Sequence, residues 1–137
     1  MDAAFPLTHQ RLGLAYVQKQ LYREAILEFQ QAANNSNRAP LVIVSLGHAY
    51  AVSGNKVEAQ KVLAELKDLS QRRYVSAYSV AVIYAGLGEK EQAFQWLEKA
   101  DEERSTELVF LKVDPRLDPL RNDSRFQELV KRVGVPQ

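Results

Sequence analysis

"LGLAYVQKQLYREA" at residues 12–25 is written again as "LGHAYAVSGNKVEA" at residues 46–59, thirty-four positions further on. Leu, Gly, Ala, Tyr, Glu and Ala return in the same slots. One more step of the same length reaches Val80-Ala81, Tyr84 and Ala93. Phe29, Leu63 and Leu97 hold the next shared slot, and Ala32, Leu66 and Ala100 the one after. Five columns stay in register across three copies, so the chain is an internal repeat before it is anything else.

Each copy carries two helical periods. In the first, Leu12, Tyr16 and Lys19 lie at i, i+4 and i+7, and Ala25, Phe29 and Ala32 repeat that spacing on a second stretch. Gly13, Gly47 and Ala81 let the two helices approach closely, and Ala25, Ala59 and Ala93 do so from the other side. A Tyr or Phe fills the space beside each close contact. The connecting stretches are "KQLY", "SGNK" and "LGEK", where Gly54 and Gly88 supply the positive φ that ends a helix. Pro6 and Pro40 stand near helix starts, where a missing N–H costs nothing. The pattern predicts helices over 5–19, 22–35, 39–53, 56–69, 73–87 and 90–104. One such pair cannot bury its apolar face alone, whereas stacked pairs can, curving into a superhelix whose first helices line a concave surface.

A period of 34 with these small and large apolar slots resembles the tetratricopeptide repeat family over residues 6–105. Departures are mild. The usual Trp slot holds His9, Ile43 and Ala77, the third copy has Ala81 for Gly, and the closing Pro slot holds Asn37, Gln71 and Ser105. The resemblance implies an all-α fold of three helix-turn-helix repeats in a right-handed superhelix, with repeats near 6–39, 40–73 and 74–105. It implies one domain over 1–137 that binds a protein or peptide partner and performs no catalysis.

The period stops at residue 105. The remainder, "TELVFLKVDPRLDPLRNDSRFQELVKRVGVPQ", begins turn-rich, with Pro115 and Pro119 each following Asp. A last helix is expected from Asp123 or Ser124, with Ser124 and Gln127 spaced as a capping box. Phe126, Leu129, Val130 and Val133 form its apolar stripe, and Gly134 with Pro136 stop it. Such a stripe must cover something, and residues 106–137 read as the terminal cap of the array. Leu108, Phe110, Leu111 and Leu120 would fill the junction, with Trp96 as a neighbour. The stretch "FLKVDPRLDPLRNDSRFQELVKRVG" also looks like the C-terminal end of bacterial proteins that carry these repeats behind a serine/threonine kinase or a winged-helix regulator. That resemblance implies an interaction module of a larger bacterial regulator. Met1 directly before a helix start fits the same reading of a fragment.

Composition excludes several function classes. The 137 residues carry 18 basic and 17 acidic side chains, a net charge of +1, which is not the basic excess of a nucleic-acid binder. No cysteine is present, so disulfides, thiolate catalysis and Cys-ligated metals are out. The N-terminus lacks a signal layout and no apolar run approaches about 18 residues, so a cytoplasmic protein with no membrane partner is expected. The Asn-x-Ser matches at Asn34 and Asn122 read as chance. His9 and His48 fit no metal spacing, and no catalytic or phosphate-binding motif occurs. Neither a cofactor nor a metal is expected. Glu24 and Glu28, one turn apart, read as a solvated face. "QRRY" at 71–74 and Lys131-Arg132 are the densest basic spots and read as a loop and a helix end.

The resemblance places ligand contacts on inward-facing residues of the first helices. In the first copy these are Leu7, Gln10, Arg11, Leu14 and Val17. In the second they are Leu41, Val44, His48 and Ala51, and in the third Val75, Tyr78 and Val82. The Lys and Asn with which one family branch grips a peptide carboxylate are missing at these positions. What remains is an apolar floor with polar spots, suited to an amphipathic helix or an extended apolar peptide. The same patch would serve self-association, making homo-oligomerisation the alternative.

Overall fold

The computed structural model describes residues 5–134, and among them the regular structure is entirely helical. The chain divides into two compact units, Met1–Arg73 and Tyr74–Gln137. Unit 1 holds α1 (Phe5–Gln18), α2 (Tyr22–Asn35), α3 (Pro40–Val52) and α4 (Lys56–Leu69). Unit 2 holds α5 (Ala77–Leu87), α6 (Lys90–Glu102), 3-10 helices at Thr106–Phe110 and Pro115–Leu120, and α7 (Ser124–Gly134).

The sequence period is a backbone period. Each first helix ends in the same turn. The N–H groups of Leu21, Asn55 and Glu89 donate to the carbonyls of Tyr16, Tyr50 and Tyr84 at 2.9, 2.9 and 3.0 Å. One residue earlier, Gln20, Gly54 and Gly88 donate to Val17, Ala51 and Ala85, and all three have positive φ (60°, 88° and 79°). This paired bonding is a Schellman stop, which consumes carbonyls that the helix end would otherwise leave bare. Glycine adopts its left-handed residue without strain. The first copy makes the same turn with Gln20 and carries the cost of a Cβ there.

Within each pair the small slots do what their spacing requires. Ala25, Ala59 and Ala93 are fully buried, as are Phe29 and Leu97 in the following column. A close approach is made at Gly13, where a methyl group would stand 2.4 Å from Phe29 Cε1. His9, in the slot that otherwise holds Trp, does not simply pack. Its Nδ1 meets Glu28 Oε1 at 2.6 Å and ties α1 to α2, so Glu28 is no mere solvated carboxylate. In unit 1, α2 lies against α3 as well as α1, and α3 pairs with α4.

Two boundaries differ from the periodicity. α5 starts at Ala77 rather than 73, because Ser76 is its N-cap, extended at ψ 129° and accepting from the Ser79 N–H. α7 is capped by Asp123, whose Oδ1 accepts from the Arg125 N–H at 2.9 Å, so the Ser124–Gln127 box is not used. The expected contribution of Pro136 lies outside the described residues.

One buried cluster of unit 2 joins α5 and α6 to the tail. Tyr78, Ala81, Val82 and Ala85 of α5 and Phe94, Leu97 and Ala100 of α6 share it with Leu108, Leu111, Leu117, Leu120, Phe126 and Leu129 of the tail. Phe110, expected at this junction, is instead 57% exposed beside the exposed Val109 and Val113. α7 is held along α6 by pairs seven residues apart on both helices. Arg125 meets Glu91 at 2.8 Å, and Arg132 meets Glu98 at 2.6 Å. The Arg125 guanidinium also stacks 4.4 Å from the Phe94 ring centre.

Candidate interaction face

The residues assigned to a ligand face fall on α1 and α3 in unit 1 and, in unit 2, on α5 for Tyr78 and Val82, with Val75 in the connection before that helix; the two units treat them differently. In unit 1, the three assigned leucines stand open to solvent: Leu7 at 52%, Leu14 at 46% and Leu41 at 68% exposure. Arg11 is exposed and Val17 half-buried, whereas Gln10, Val44, His48 and Ala51 are buried. The expected apolar floor is therefore a rim of leucines above a buried polar seam. In that seam Gln10 Nε2 donates to Ser45 Oγ at 2.8 Å, and Ser45 Oγ donates to the Leu41 carbonyl at 3.3 Å. Gln10 Oε1 is buried with no hydrogen-bond partner among the described residues. An orphaned amide oxygen costs free energy, so this seam fixes α1 against α3 at less than full efficiency.

In unit 2 the corresponding face has an occupant, the chain's own tail. Val75 is half-buried, but Tyr78 and Val82 are 1% and 0% exposed. They offer no surface to another molecule. The Tyr78 hydroxyl donates to Asp114 Oδ2 at 2.7 Å. Asp114 in turn accepts from the Arg116 guanidinium at 2.8 Å and from the Arg116 N–H at 3.0 Å, which caps the second 3-10 helix. Arg121 closes the turn by donating to the Lys112 and Asp114 carbonyls at 2.7 and 2.6 Å. Ser76 and Ser79 at the start of α5 both hydrogen-bond Glu107.

The electrostatics follow from this burial. Burial, and then the bond to Asp114, push the Tyr78 hydroxyl far above its ordinary pKa. Burial alone would raise the Asp114 carboxyl, but the hydrogen bonds from Arg116 and Tyr78 together outweigh it and hold Asp114 below the usual carboxylate range. Asp123 is drawn down to about 2, chiefly by its hydrogen bond from Arg125. Both Asp114 carboxylate oxygens, the Tyr78 hydroxyl and the Arg116 Nε and Nη2 groups are bonded within the set, so it ties α5 to the tail. Among the described residues no group of three or more His, Asp or Glu is placed to hold a metal ion. No helix among them is long and apolar enough to cross a membrane.

Sequence reasoning read the tail as a cap but did not find the Tyr78–Asp114 bond. The available signal was Asp114-Pro115, the Asp-Pro step at which the second 3-10 helix starts; Pro119 of the other step lies inside that helix.

Residues 75–106, the third copy, match the family model of the tetratricopeptide repeat. No curated protein and no solved structure matches the chain. The matched segment spans α5 and α6, so the sequence likeness falls on the helix pair joined by the third Schellman turn. Repeats of this family generally mediate protein–protein interaction, and the family is typically non-catalytic.

Proposed function

We propose that this chain is a non-catalytic protein-binding module whose contact face is the α1–α3 side of unit 1. The observation that carries the reading is the exposure of Leu7, Leu14 and Leu41, three of the positions where the resemblance puts ligand contacts. Exposed leucines on a rigid helical frame favour an apolar peptide segment, helical or extended. The α5 face contributes nothing to this site, because the tail already fills it. The tail's "DPRLDPLRNDSRF" stretch supports the further reading that the module works in the bacterial cytoplasm, behind an effector domain of a larger regulator. The second reading, in which the occupant is another copy of the chain, uses the same leucines and needs further contacts outside them.

A photo-reactive phenylalanine at position 14 or 41 tests the face. Position 27, 57% exposed on α2, is the control. Cross-links to another polypeptide should form from 14 and 41, be absent from 27, and vanish when the other leucine of the pair becomes Glu. Products of twice the chain's mass would select the second reading. Equal cross-linking from all three positions would remove the face from consideration.

A further inference from the structure

A cleft of about 550 Å³ lies on a different part of unit 1, between the α2–α3 connection and the end of α4. Its walls carry Asn37, Arg38, Glu65, Asp68, Arg72 and Arg73. Three guanidinium groups face two carboxylates there, and the pairing is uneven. Arg38 and Glu65 form a short two-point fork, at 2.6 and 2.7 Å, through Arg38 Nε and Nη2 and both Glu65 oxygens. Arg72 reaches Asp68 through a single contact of 3.4 Å, with both side chains about two-thirds exposed (66% and 68%). Such a pair is weak and easily exchanged. Arg73 has no side-chain partner among the described residues. Asn37 and Arg38 both sit in the left-handed region at φ 56°, and only Asn tolerates it readily. The connection is thus held in an unusual conformation at the cleft wall, with the Arg38–Glu65 fork as its tie.

We infer that this cleft binds a doubly charged anion, a phosphoryl group, between Arg72 and Arg73 with the Asn37 amide as a third donor. A carboxylate satisfies one guanidinium fork, whereas a phosphoryl dianion matches two adjacent ones and supplies acceptors for an amide as well. The fork of Arg38 with Glu65 leaves that arginine as a wall, not a ligand. A second cleft of about 460 Å³ adjoins across the same fork, lined by Gln30, Asn34, Tyr50 and Lys61. It gives room for a chain segment on one side of the charged group, so the phosphoryl group can be free or borne on a peptide.

The test is an NMR titration of the full chain with inorganic phosphate, and separately with a phosphoserine peptide, at constant ionic strength. Saturable shifts should appear at the amides of Asn37, Arg72 and Arg73 and at their side chains. Arg72→Gln with Arg73→Gln should weaken binding at least tenfold, and Arg23→Gln, elsewhere on unit 1, should leave it unchanged. Tighter binding of the peptide would assign a protein-borne group, and equal binding a free anion. Either supports the site. No saturable shift with either probe, or shifts that survive the double substitution, would overturn the inference.

Discussion

Tyr78 and Asp114 form the bond on which the most depends, and their titrations run in opposite directions. The folded Asp114 carboxyl is held low, so its contribution is present above the unfolded value near pH 4 and is lost as pH falls through the folded value. The folded Tyr78 hydroxyl is held high, so its contribution is intact below the unfolded value near pH 10 and declines as pH rises beyond it. Stability should therefore form a plateau between about pH 4 and pH 10 at this site. In urea melts across pH, Tyr78→Phe should flatten the alkaline limb, and Asp114→Ala should flatten the acid limb while lowering the plateau. The plateau loss should be roughly 2 to 3 kcal/mol, since a buried hydroxyl is orphaned and a partly exposed Arg116 loses its partner. An Asp114→Ala chain with an unchanged plateau would mean that the bond contributes nothing. The turn between α1 and α2 gives a prediction of the other sign. Gln20 occupies a left-handed position that Gly54 and Gly88 fill in the later copies, so Gln20→Gly should stabilise the chain by up to about 1 kcal/mol. A loss of stability in the same melts would show that the Gln20 side chain contributes more than the strain costs.

At the scale of elements, the tail decides whether unit 2 exists. Of that unit's buried cluster, Leu108, Leu111, Leu117, Leu120, Phe126 and Leu129 all come after residue 105. A chain ending at Thr106 would leave Tyr78, Val82, Phe94 and Leu97 facing water, so it should lose the unit 2 fold and aggregate. Proton–nitrogen spectra of the truncated chain should show collapsed dispersion for residues 77–102. Retained native shifts there would reduce the tail to an ornament. The surface pairs of α7 matter less: Arg132→Gln removes a contact between half-exposed side chains, and such contacts are worth ~1 kcal/mol at most. The helices were legible in the sequence because their slots repeat: the position of Tyr16 predicts those of Tyr50 and Tyr84, down to the hydrogen bonds their carbonyls accept. The tail has no second copy against which to compare it. Its apolar stripe in α7 could be read from spacing alone. The route of residues 106–120 depends on long-range pairings such as Asp114 with Tyr78, which no local pattern encodes. The same limit bears on the residues proposed for the contact face. Register placed Leu7, Leu14 and Leu41 together with Tyr78 and Val82, but could not show that the chain's own tail lies over the last two.

On the scale of the whole molecule, the question is what the exposed leucines can hold. A stable, specific interface removes about 800 Å² from each partner. Leu7, Leu14 and Leu41, each already partly covered, supply far less apolar area than that. A net charge of +1 adds no long-range field to steer or reinforce an encounter. The face is therefore suited to a short apolar segment held weakly, and two copies meeting through it would bury too little to stay together. The chain should run as a monomer of 15.5 kDa in light scattering at micromolar concentration. Leu14→Glu with Leu41→Glu should leave that mass and the melting temperature unchanged, because neither side chain is part of a buried cluster. A dimer with a dissociation constant tighter than ~10 μM, lost in the double variant, would reverse the assignment. The leucine face would then be a self-assembly surface, with a second copy supplying the missing area from residues outside the face described for α1 and α3.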